Sequence, residues 1–79
     1  MNAEQVARIV EAIRPLLAGK PPPVQGAALA DLLAIWLAGH FADTTGDTTR
    51  LRETLLKEHV KAVRALIPEN EKAIRKWSA

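Results

Sequence analysis

From Val6 to Leu17 the large apolar residues recur at helical spacing. Val6, Ile9, Val10, Ile13, Leu16 and Leu17 share an arc of about 120°, with Glu4, Arg8 and Glu11 on the opposite face. The pattern predicts an amphipathic helix from about Ala3 to Ala18. Asn2 followed by Gln5 is a capping-box arrangement at its start, and Gly19 stands where a left-handed C′ residue ends it. The apolar register continues through Pro15, which falls on the polar side, where water replaces the lost backbone donor.

Lys20-Pro21-Pro22-Pro23 then reads as a stiff, extended spacer, with Pro23 suited to open the next helix. A ligand for a proline-reading domain is the competing reading, but Gly26 occupies the place of the second required proline. The second helical stretch, Gly26 to Ala42, differs in kind from the first. Leu29, Leu32, Leu33, Ile35, Trp36, Leu37 and Phe41 sweep roughly 240° of the wheel, and alanines with one carboxylate, Asp31, fill most of the rest. A helix apolar nearly all round is covered on several sides. It is too short for a bilayer span of about 20 residues, and Asp31 interrupts it, so the central helix of a bundle is expected.

Asp43 to Thr49 contains turn and cap residues and no large apolar side chain, which marks a loop with Asp47 or Thr48 as N-cap of a third helix. A calcium loop is the competing reading, but the terminal bidentate glutamate is missing. The third helix runs to about Ile67, with Leu51, Leu55, Leu56, His59, Val60, Val63 and Leu66 on one half and Glu53, Lys57, Glu58, Lys61 and Arg64 on the other. Pro68 disfavours helical geometry at Ile67 and suits the start of a short fourth helix reaching about Trp77; a kinked continuation of the third helix is the alternative. The expected fold is thus an all-α single domain, a small bundle of three main helices plus a short C-terminal fourth.

With 79 residues, such a domain buries only about 60% of its unfolded surface, so its core is marginal without help. There is no cysteine to form a disulfide or a thiolate zinc site, and the composition fits a reducing, cytoplasmic setting. The alanine-rich, lysine-poor first half has a bacterial character. Net charge is +2, too little to imply nucleic acid by electrostatics alone.

Chemistry-bearing residues are few. Without cysteine or tyrosine, and with a single serine at position 78, no nucleophile with a positioned base assembles within one chain, so no enzyme, cofactor or metal is expected. His40 and His59 are the functional-site candidates because both fall within apolar arcs. If the second and third helices form a hairpin about Gly46, His40 faces Arg52 and His59 faces Leu33, leaving the imidazoles ~10 Å apart along the axis, too far for a shared ion except across a subunit seam. The structural reading makes each a satisfied histidine. His59 is expected to be mostly buried near Leu33 and Leu37, with a ring nitrogen hydrogen-bonded.

Two helices cover about 180° to 200° of a central third, less than the apolar arc of the second stretch requires, and closed two-fold association is the commonest remedy. The expected function is a protein–protein interaction or oligomerisation module, a homodimer with Leu29, Trp36, Leu37 and Phe41 at or near its seam and Ile74 and Trp77 docking back or onto a partner. Two classes compete: a nucleic-acid-associated protein using the basic second half, where glutamates interleave the cations, and a ligand or metal site at a dimer seam near His40 and His59.

Overall fold

A computed structural model of the chain describes residues 2–78, and the side chains of residues 2–77. Among them the protein is all-α, with three helices: α1 (Ala3–Leu17), α2 (Pro22–Ala38) and α3 (Thr45–Ser78). They fall into two units, Met1–Leu33 and Ala34–Ala79.

In the first unit, α1 begins as its local sequence requires. The Asn2 side chain accepts hydrogen bonds from the Glu4 and Gln5 backbone N–H groups at 3.0 and 3.1 Å, satisfying two of the donors left open at a helix start. Glu4 lies in the first turn and Arg14 in the last, each with the sign the helix dipole favours. The helix passes through Pro15 and ends at the Ala18 C-cap, after which Gly19 takes φ 77°, a conformation open to glycine at no steric cost.

The triple proline is not a spacer of its own. Pro22 and Pro23 are the first two residues of α2, positions whose N–H groups have no intrahelical acceptor, so proline forfeits nothing there. The Pro21 carbonyl accepts from the Val24 and Gln25 N–H groups at 3.0 and 3.1 Å. Gln25 also donates through Nε2 to the Leu17 carbonyl at 2.8 Å, tying the start of α2 to the end of α1. The least exposed side chains of this unit are Ile13, Leu17, Gln25, Ala28 and Leu33, each half-buried.

The second helix stops at Ala38, four residues before the apolar pattern does, so His40 and Phe41 lie beyond it. Gly39 weakens helix propagation, and the ending is secured by side chains: the His40 ring takes up the Trp36 carbonyl, and Arg52 takes up those of Leu37 and Ala38. The third helix, in turn, starts three to four residues earlier than its cap residues suggest. Thr44 is the residue whose side chain accepts from the Asp47 N–H, at 3.0 Å, and Asp47 sits inside the first turn paired with Arg50. The Thr48 hydroxyl accepts from the Ala42 N–H at 3.0 Å and donates to the Thr44 carbonyl at 2.9 Å, bracing the connection from inside the helix.

The expected fourth helix does not exist as a separate element: α3 runs unbroken through Pro68 to Ser78. The reason is local. Proline deletes one backbone hydrogen bond and crowds the carbonyl four residues earlier, here that of Arg64, but Pro68 and Arg64 are both exposed, so water replaces the missing donor. Helix-favouring residues flank it, and the pairs Lys61–Glu58, Lys72–Glu69 and Arg75–Glu71 add i,i+3 and i,i+4 support on both sides. Asn70 Nδ2 donates to the Leu66 carbonyl at 3.0 Å in the turn that spans the proline.

Replacing Pro68 by alanine is expected to raise stability by up to about 3 kcal/mol while leaving far-ultraviolet helical content unchanged. A gain of helical signal in circular dichroism would instead reveal a break at this residue. Asn2→Ala should cost about 1 kcal/mol in urea unfolding through loss of the α1 cap.

Candidate interaction surface

The second unit contains the end of α2, both histidines and all of α3. Arg52, about two turns into α3, reaches the end of α2: its Nε donates to the Leu37 carbonyl at 3.1 Å and the His40 carbonyl at 3.0 Å, and its Nη2 to the Ala38 carbonyl at 3.0 Å. A planar cation spread over the last open carbonyls of a helix satisfies hydrogen bonds and the negative end of the dipole together. The expected facing of His40 and Arg52 is therefore found, through the histidine's backbone.

His40 Nδ1 lies 2.6 Å from the Trp36 carbonyl, which only accepts, so Nδ1 carries the proton and Nε2 is the nitrogen left over. The Trp36 indole makes an edge-on contact with the His40 ring, centroids 5.2 Å apart, and a tilted one with the His59 ring at 5.6 Å. The tryptophan thus touches both imidazoles. His59 does not meet its expectation of burial: it is exposed, its ring neighbour is Trp36 rather than Leu33, one helical turn away, and no hydrogen bond to its ring is found among the described residues. The cause is the length of α3 that is covered. The half-buried positions Thr48, Leu51, Arg52, Leu55 and Leu56 end just before it.

Beyond Leu56, every described residue of α3 except Ala73 is exposed. That stretch nevertheless carries Val60, Val63, Leu66, Ile67, Ile74 and Trp77, at exposures between 39% and 62%. Val63, Leu66, Ile67, Asn70 and Ile74 line one open groove along its face. Trp77 remains 62% exposed, so docking onto its own chain leaves most of it uncovered. On α2, Leu29, Leu32, Ile35 and Trp36 are exposed while Leu37 is half-buried, and Phe41, released from the helix, is 72% exposed. On α1 the exposed members are Val6, Ile9, Val10 and Leu16. In neither unit is any described residue buried.

The cations of α3 are mostly engaged within the helix. Arg50, Lys61, Lys72 and Arg75 each face a carboxylate three or four residues away, and Arg52 is held by carbonyls. No group of three or more histidine, aspartate or glutamate side chains suited to a metal ion occurs among the described residues. No helix among them is long and apolar enough to cross a membrane. In the sequence Arg52 is one more cation of the basic second half, and its role at the end of α2 is not visible in that pattern. The available signal was its place opposite Gly39-His40, a helix end with no cap of its own.

Compared with protein-family models, curated proteins and solved structures, the chain matches none.

Arg52→Ala is expected to cost about 1.5–3 kcal/mol, the range for hydrogen bonds to a charged group, measured by urea unfolding. Arg52→Lys should fall between the two, because it keeps the charge near the helix end and loses the planar fork. A lysine variant no better than alanine would assign the effect to hydrogen-bond geometry alone.

Proposed function

We propose that the protein is a non-enzymatic self-association module that works as a homodimer. The observation that carries this reading is the combination of large exposed apolar side chains on all three helices with the lack of any buried residue among those described. Scattered apolar residues on a surface need no explanation, but contiguous helix faces of this kind mark places where another surface belongs. A short chain without disulfides gains the missing core most directly by pairing with a copy of itself. The interface candidates are Leu29, Trp36 and Leu37 of α2, Phe41 just after it, and Ile74 and Trp77 near the end of α3. The local neutralisation of four α3 cations supports a protein partner over a polyphosphate, since those carboxylates would face the same phosphates.

Sedimentation equilibrium of the full chain at micromolar concentration is expected to give twice the chain mass of 8.6 kDa, with dissociation on dilution. An ideal monomer at tens of micromolar would overturn the reading.

A further inference from the structure

The exposed apolar positions of α3 follow a stricter rule than helical amphipathicity. Starting from Leu56, the apolar and amide positions Val60, Val63, Ile67, Asn70, Ile74 and Trp77 are spaced alternately four and three residues apart without interruption. This is the 3.5-residue repeat of a coiled-coil seam, with β-branched Val60, Ile67 and Ile74 at the a positions and Val63, Asn70 and Trp77 at d. Between Leu56 and Trp77 the seam is about 32 Å long at 1.5 Å per residue. The other two helices, of 15 and 17 residues, are shorter than this, so within the chain only α3 matches α3 in length and spacing.

The flanking charges fix the orientation. Arg64 and Glu71 both occupy e positions, one heptad apart. Among the described residues Arg64 has no ion pair, while Glu71 accepts from Arg75 at 2.7 Å and keeps further acceptor capacity. In a parallel pair, e faces g of the partner, which would set Arg64 against His59 and Glu71 against Leu66, with no charge complement. In an antiparallel pair, e faces e, and a register centred between Pro68 and Glu69 sets Arg64 of each copy against Glu71 of the other, twice. The same register places Trp77 opposite the small Val60, Ile74 opposite Val63, and Asn70 opposite Ile67. Sliding one heptad in one direction brings Arg64 against Arg64, and in the other Glu71 against Glu71, so both neighbouring registers are opposed by like charges.

We infer that the C-terminal half of α3 is the seam of an antiparallel homodimer, centred at Pro68–Glu69 and keyed by two reciprocal Arg64–Glu71 pairs. The inference rests on the self-association reading above and specifies which surface performs it. Side chains of this size at these exposures present on the order of 600 Å² per copy, and two copies face to face bury on the order of 1,200 Å², the lower edge of the range for stable interfaces. Asn70, whose Nδ2 donates to the Leu66 carbonyl of its own helix, lowers the affinity such a seam would otherwise have.

The test uses the full chain with Arg64→Glu and Glu71→Arg, studied singly, mixed and combined. Both residues are exposed, and circular dichroism checks that helicity is retained. Each single variant is expected to weaken self-association at least tenfold, because each sets like charges together at two points. An equimolar mixture of the two is expected to form a mixed dimer of wild-type affinity, since both contacts then join opposite charges, and the combined variant should recover self-association. Because the chain has no cysteine, Val63→Cys and Ile74→Cys add a second readout. They should cross-link to each other in a mixture but not each to itself. Variants that all dimerise like wild type would overturn the seam while leaving self-association standing. Self-cross-linking by Val63→Cys alone would overturn the antiparallel orientation, and a monomeric wild-type chain would remove the underlying reading itself.

Discussion

The second unit is organised around one side chain, Arg52. A helix that ends at Ala38 leaves its last carbonyls open, and the residues after it, Gly39 and His40, supply only part of what those carbonyls need. The guanidinium of α3 covers Leu37, Ala38 and His40 at once. That contact holds the end of α2 to the start of α3 and fixes which residues lie near which. It brings Trp36 within reach of His59 and confines the half-buried stretch of α3 to the turns on either side of Arg52. Its chemistry is directional, whereas an apolar contact alone would allow the two segments to slide by a turn.

Features written in a few adjacent residues were legible in the sequence. Asn2 with the two N–H groups it satisfies, and Gly19 with its positive φ, are local codes that need no knowledge of the rest of the chain. Boundaries set by competition between nearby signals were less so. Thr44, Asp47 and Thr48 are all good cap residues, and the earliest prevailed because the later two are more useful inside the first turn, one as an ion-pair partner and the other as a brace to Ala42. Pro68 reads as a boundary because the residue before a proline avoids helical geometry. On an exposed face between strong helix formers that preference was too small to divide the helix. The position of His59 failed for a different reason: an apolar arc shows which face of a helix is to be covered, but not how far along the helix the cover extends. The all-α class itself rested on periodicity and was plain. Of the candidate surface, the sequence offered the apolar residues; what the structure added was the point, just past Leu56, where internal coverage ends.

Apart from Arg52, Gln25 and Thr48, the polar side chains that find partners among the described residues do so mostly within their own helix or at its ends. Among the described residues, ion pairs join side chains three or four apart, and hydroxyls of Thr48 and Thr49 return to carbonyls four residues back. Such pairs stabilise each helix by about 0.2–0.5 kcal/mol apiece but say nothing about which helix lies beside which. Beyond the Arg52 contact, which sets the end of α2 against α3, specificity between helix faces rests on the spacing of apolar residues and on charges left out of local pairs. In that light, the regular four-three spacing in the last third of the chain and an Arg64 with no ion pair among the described residues are complementary facts.

The thin coverage of the apolar side chains has a thermodynamic consequence. The heat-capacity increment of unfolding, and with it the curvature of stability against temperature, scales with the apolar area that unfolding newly exposes to water. A chain whose largest side chains are already wetted has little such area to release, so on its own its stability varies only shallowly with temperature. Sharp, all-or-none melting with a pronounced optimum temperature is a property the molecule acquires only when its helix faces are covered.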